Sequence, residues 1–208
     1  MGLHRGPNIV TDGLVLCLDA PSKRSYPRTG NTWYDLSGND NHFTIGSSIN
    51  YQNNFKAFFL GHIPDRTFTY SSQITTSTNC TFVFWMQNGD TQALYWQGQT
   101  TSHYLGAYRS SNKEYHSGFG SPDVYVDTVA RPNLYDYNRD GLGQMIEFKN
   151  VDMSGITSNG FNNYSSFQFS IATISMIKIY DRNLSAAESQ QNYNAILNRY
   201  SNIGYIEV

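Results

Sequence analysis

The six residues Thr81-Phe82-Val83-Phe84-Trp85-Met86 constrain this chain more than any other segment. Both alternation faces are dominated by apolar side chains, and six residues are too few for a buried helix. A strand of this kind lies inside a sheet and is covered on both faces by other elements. The surrounding sequence supplies that sheet. Leu14 to Asp19, Phe43 to Ile45, Phe55 to Leu60, Phe68 to Tyr70, Ala93 to Gln97, Tyr104 to Arg109, Val124 to Val129 and Phe167 to Tyr180 all read as strands. Turn chemistry separates them, most densely at Ser37-Gly38-Asn39-Asp40-Asn41. Many short strands at this spacing indicate an all-β sandwich or barrel.

One segment departs from that rhythm. From Ala186 to about Tyr200 the pattern is helical: Ser185 and Glu188 form a capping box, and Tyr193, Ile196, Leu197 and Tyr200 fall on one stripe. This helix is expected to pack one face onto the body. The 208 residues then divide into an arm at 1–10, a single sandwich at 11–200 that includes the helix 186–200, and a tail at 201–208. Both ends are expected to dock, on the body or on a second copy.

Charge excludes some functions. Charged residues are 14% of the chain, against roughly 25% in soluble domains. Net charge is −2, and the 14 Lys and Arg form no run longer than Lys23-Arg24, so a nucleic-acid footprint is not expected. No apolar stretch approaches the roughly 18 residues of a membrane span. The opening residues do not read as a signal peptide. Cys17 and Cys80 are accordingly expected as buried free thiols in a reducing cytoplasm, with a single bridge between them as the alternative.

Two segments carry a family likeness. Thr11 to Ala20, Ser25-Tyr26-Pro27 and Thr32 to His42 resemble the opening of concanavalin A-like, laminin-G-like jelly-roll domains. Ile177 to Glu188, running into Asn192-Tyr193-Asn194-Ala195, resembles their closing segment. The flavour of both is similar to structural proteins of tailed bacteriophages, marine cyanobacterial phages among them. The resemblance spans roughly 60 residues at the two ends and implies a two-sheet antiparallel jelly-roll sandwich. Asp40 stands where the turn usually has Gly, and the segment after Tyr200 has no counterpart.

Glycanases on this fold resemble one another in a Glu-x-Asp-x-x-Glu strand, whose alternating carboxylates lie about 5 Å apart on one face. The four glutamates here are Glu114, Glu147, Glu188 and Glu207, and no two have that spacing. There is no Gly-x-Ser-x-Gly elbow and no His-Glu-x-x-His, and the five histidines are scattered. No catalytic residues are assigned, and the chain is expected not to be an enzyme.

The sharpest local pattern is Asp136-Tyr137-Asn138-Arg139-Asp140-Gly141 with Glu147 at the twelfth position. It fits the calcium-loop formula of hard oxygen ligands at alternate positions closed by a bidentate carboxylate. Helices do not flank it, so structural calcium in an EF-hand or a β-loop competes with an unliganded hairpin. In that hairpin Tyr135 faces Phe148, Tyr137 faces Ile146, and Asp136 opposes Glu147. Asp35, Asn39, Asn41 and Asp181 are a second metal candidate, although Asp and Asn in turns ordinarily satisfy backbone groups. Trp96 borders a Gly/Ser/Asn-rich region, 97–121, that holds Tyr104, Tyr108, Tyr115 and His116, and the five are taken together as aromatics in or beside loops. Aromatic rings there suit stacking on sugars or a protein interface.

The function expected is that of a non-enzymatic virion surface protein, with no cofactor required. The first form is a capsid decoration protein, present in many copies or as a homo-oligomer, bound to capsid or other virion proteins after assembly in the host cytoplasm. The alternative is a host-adhesion module of a tail or head fibre that binds surface glycan. Neither nucleic acid nor membrane insertion is expected.

Overall fold

The computed structural model describes residues 8–59, 68–70, 72–88, 92–97, 104–108, 113–130, 143–156, 159–161 and 172–200. In chain order the strands are β1 (Leu14–Asp19), β2 (Thr32–Trp33), β3 (Phe43–Ile45), β4 (Asn50–Gln52), β5 (Ala57–Phe59), β6 (Phe68–Tyr70), β7 (Cys80–Asn88) and β8 (Gln92–Gln97). They continue as β9 (Tyr104–Tyr108), β10 (Lys113–Ser117), β11 (Asp123–Val126), β12 (Val129–Ala130), β13 (Gly143–Val151), β14 (Asn159–Phe161) and β15 (Ala172–Tyr180), followed by α1 (Ala186–Tyr200).

Eight strands form one large antiparallel sheet in the order β12-β11-β13-β7-β15-β5-β4. The eighth, β1, shares an edge of β15 with β5: β5 pairs with Thr173 and Ile174, and β1 with Met176 to Tyr180. The strand β7 is interior, between β13 and β15, as the doubly apolar run from 81 to 86 requires. Phe82, Phe84 and Met86 enter the sandwich core, where β14-β6-β3-β2 supplies Trp33, Phe43, Ile45, Phe68 and Tyr70. Trp33 packs edge-on to Phe58 at 4.8 Å and tilted against Phe68 at 5.2 Å. A third sheet, β10-β9-β8, contributes Leu105 to the same core. The fold is thus an all-β antiparallel sandwich with one C-terminal helix.

The other face of β7 explains why that run is apolar on both sides. Val83 and Trp85, with Met145, Met176 and Tyr180, are covered by Leu184, Ile196 and Tyr200. Trp85 stacks on Tyr200 with ring centroids 5.3 Å apart. The helix stripe predicted from Tyr193, Ile196, Leu197 and Tyr200 is the stripe that docks. Asn8 to Val10 join this layer. The Val10 amide donates to Asn192 Oδ1 at 3.0 Å, and the Tyr180 hydroxyl donates to the Val10 carbonyl at 3.0 Å.

The hairpin expected around Asp140 is not the pairing that forms. Along Ile146 to Phe148, one edge of β13 is taken by β11 (Ile146 opposite Val126, Phe148 opposite Val124) and the other by β7. No edge remains there for Tyr135 or Tyr137, which, with Asp136, Asn138 and Asp140, lie outside the described residues. Gly143 begins β13. A Cβ on it would sit 2.7 Å from the Trp85 indole nitrogen, so the close approach of that ring requires glycine.

Candidate functional site

A bulge between Ile174 and Met176 shifts the alternation of β15. Ile177 and Ile179 therefore enter the sandwich, while Met176, Lys178 and Tyr180 lie on the helix side. Cys17 stands opposite Lys178 across the β1–β15 ladder, and Asp19 opposite Met176. The last turn of α1 reaches onto Asp19. Arg199 Nη1 lies 2.5 Å from Asp19 Oδ2, and the Tyr200 hydroxyl donates to Asp19 Oδ1 at 2.9 Å.

These side chains surround a cavity of about 360 Å³, walled also by Ile9, Leu14, Leu36 and Ile196. Lys178 is 3% exposed and lines it. Among the described residues, no oxygen accepts a hydrogen bond from its ammonium and no carboxylate pairs with it. Burial lowers its pKa, and the Asp19 carboxylate is among the groups that oppose that shift. Burial also pushes the Cys17 thiol up to about 11, which keeps it neutral at pH 7. This site was missed in the sequence, where Lys178 reads as one polar residue within an apolar strand. Only the bulge, which alternation does not reveal, puts it beside Cys17 and under the helix.

Glu147 occupies a second buried position on the same face. It is fully buried, Ser189 Oγ donates to its Oε1 at 2.8 Å, and Lys149 Nζ lies 3.9 Å from Oε2. Lys149 itself donates to the Leu184 carbonyl at 2.8 Å. Burial raises the Glu147 carboxyl pKa above its ordinary value. Glu147 thus ties β13 to α1. Glu188 is likewise structural. It accepts from the Ser185 amide at 2.8 Å and takes both Arg182 terminal nitrogens, at 2.6 and 3.1 Å. Those contacts hold its pKa down to about 2.

Asp35, Asn39, Asn41 and Asp181 do not form a ligand shell. Asp35 accepts from the backbone amides of Cys17, Ser37 and Asn41 at 2.8, 2.9 and 3.1 Å, and from the Ser37 hydroxyl at 2.6 Å. Asn39 and Asn41 donate to backbone carbonyls of β1. Asp181 lies beside Gly13, at another turn. Asp and Asn here satisfy turn backbones. Among the described residues, no three His, Cys, Asp or Glu side chains gather as a metal site. Cys17 and Cys80 are free and buried, one at the helix-side cavity and the other in the sandwich core.

The strands read at Ala93 to Gln97 and Tyr104 to Arg109 form, and a further strand, β10, runs where the sequence reads as loop. Trp96 is in β8, Tyr104 and Tyr108 in β9, and Tyr115 and His116 in β10. The ladders set Trp96 opposite Leu105 and Tyr115 opposite Gly106. The side chains of these five aromatic residues lie outside the described residues. Tyr and Trp favour a pleated surface strongly enough to carry strands through Gly- and Ser-rich sequence.

No protein-family model matches this sequence, and no curated protein matches it. Solved structures do share the fold. Trypanosoma rangeli sialidase in complex with the inhibitor DANA superimposes with a TM-score of 0.57 at 12% identity, over 89% of this chain and 33% of the sialidase. The botulinum neurotoxin serotype D ligand binding domain in complex with N-acetylneuraminic acid gives a TM-score of 0.56 at 14% identity, over 93% of this chain and 55% of that one. The binding domain of Paraclostridial Mosquitocidal Protein 1 gives 0.53 at 14%, over 90% and 53%. The chain spans about a third of the sialidase and about half of each toxin binding domain.

Proposed function

We propose that this chain is a non-enzymatic recognition module that binds glycans. The observation that carries the reading is the architecture it shares, over 93% of its length, with a toxin domain in complex with N-acetylneuraminic acid. The likeness to a sialidase does not extend the reading to hydrolysis, because it covers a third of that enzyme. Glu147 and Glu188 are committed to docking and capping α1. The sheet β8-β9-β10, with Trp96, Tyr104, Tyr108, Tyr115 and His116 in its sequence, is the surface assigned to sugar, since aromatic faces stack on sugar rings. Purified protein on an array of neutral and sialylated glycans is expected to retain at least one class. Trp96→Ala or Tyr104→Ala is expected to weaken that binding about tenfold or more with an unchanged melting temperature. An array with no retained glycan sinks the reading.

The terminal segments favour a second setting for the same module. Thr11 to Ala20 and Ile177 to Glu188 resemble structural proteins of tailed phages. On that likeness the chain is a virion surface protein, decorating the head in many copies or carried on a fibre. Immunogold labelling of purified particles distinguishes these placements: gold over the heads supports decoration, gold at the tail tip supports adhesion, and unlabelled particles exclude both.

A further inference from the structure

We propose that the cavity between β1, β15 and the last turn of α1 binds a small molecule with an apolar body and a single carboxylate, which Lys178 receives. The charges facing the cavity set the ligand's charge. Asp19 is already matched by Arg199, and the Tyr200 hydroxyl donates to it. Cys17 is a neutral thiol. Lys178 is left as one buried amine with no hydrogen-bond or ion-pair partner among the described residues, so its protonated form leaves the site short of one negative charge. A monoanion supplies it. A dianion overcompensates, a cationic ligand is repelled, and a neutral ligand leaves the ammonium buried and unpaired at a free-energy cost.

The walls set the rest of the ligand. Leu14, Leu36, Met176 and Ile196 offer apolar contact, and about 360 Å³ is at the small end of ligand pockets, which run roughly 300–1,000 Å³. Arg199, whose side chain is 46% exposed, marks the opening to solvent. Among the described residues, those that line the cavity come from β1, β15, α1 and the segments beside them, and the glycan reading uses another sheet, so the two are tested separately.

Titration calorimetry of the full chain with hexanoate and benzoate, against hexanamide, benzamide and inorganic phosphate, tests the site. Both carboxylates are expected to bind at least about tenfold more tightly than their amides and more tightly than phosphate. Lys178→Met is expected to remove the preference for carboxylate over amide. Ala195→Phe, which fills the cavity from the helix wall and leaves Lys178 in place, is expected to abolish binding, and it decides the matter if Lys178→Met fails to fold. Equal binding of acid and amide, equal binding of phosphate, no binding at millimolar ligand, or full binding by folded Ala195→Phe would each overturn the proposal.

Discussion

Two buried charged groups on the helix side of the large sheet have shifted pKa values, and they act on stability with opposite pH dependence. Lys178 has a folded-state pKa below its ordinary 10.5, mainly through burial. The unfolded chain therefore binds the proton more tightly, and the stability this group withholds is regained as pH rises from the folded pKa to 10.5. Lys178→Met is expected to raise unfolding free energy by about 1–3 kcal/mol at pH 7, because an unpartnered buried amine becomes an apolar contact. The gain should shrink toward pH 10.5; a gain that does not change with pH would show that desolvation of the charge is not its cause. Glu147 has its pKa raised above 4.5, again mainly through burial. Its contribution is fully present below pH 4.5 and is lost as pH rises through the folded value, so Glu147→Gln should flatten that loss in urea titrations across the acid range. At this scale the sequence was legible where partners are local. The capping pair Ser185 and Glu188 was read directly, and so were the Asp and Asn of the first turn. The place of Glu147 was not legible because Ser189, which donates to it, lies 42 residues away.

Among the elements, α1 and β13 show why local signals succeed and fail. The helix begins at Ala186 and ends at Tyr200 as expected, because its cap and its stripe are both encoded within fifteen residues. Ser185 Oγ accepts from the Glu188 amide at 3.3 Å, and the Ser185 amide donates back to Glu188 Oε2 at 2.8 Å. Ser185→Ala should lower unfolding free energy by about 1 kcal/mol, seen as a lower urea midpoint with an unchanged slope. An unchanged midpoint would mean that the tertiary contacts of α1 make the cap dispensable. For β13, alternation identified the right residues but gave them the nearest partner in sequence. Its actual neighbours, β11 and β7, are set by which faces the sandwich and α1 bury, and periodicity within a single strand does not encode that choice. Asp40 is a smaller instance. It replaces an expected Gly yet adopts φ +56°, a left-handed conformation that Asp tolerates better than most residues.

For the whole molecule, the layer order makes the large sheet common to two apolar clusters. Phe82 and Phe84 belong to the sandwich core, and Val83 and Trp85 to the helix layer, although the four are consecutive in β7. A strand cannot leave one cluster and stay in the other, so the sandwich and α1 should unfold as one cooperative unit. The tryptophans report on the two layers separately: Trp33 is fully buried between Phe58 and Phe68, and Trp85 lies against Tyr200. Two single-tryptophan variants make the test: Trp85→Phe with Trp96→Phe keeps Trp33, and Trp33→Phe with Trp96→Phe keeps Trp85. Within each variant, fluorescence and far-UV circular dichroism should follow the same urea curve. If the Trp85 signal and the helical signal fall at lower urea than the Trp33 signal, α1 is a separately unfolding layer. The cavity under its last turn would then open without loss of the sandwich, since Arg199 and Tyr200 hold that turn to Asp19. Coincident curves would mean that the cavity persists as long as the sandwich does, so that a ligand bound there stabilises the entire domain by mass action.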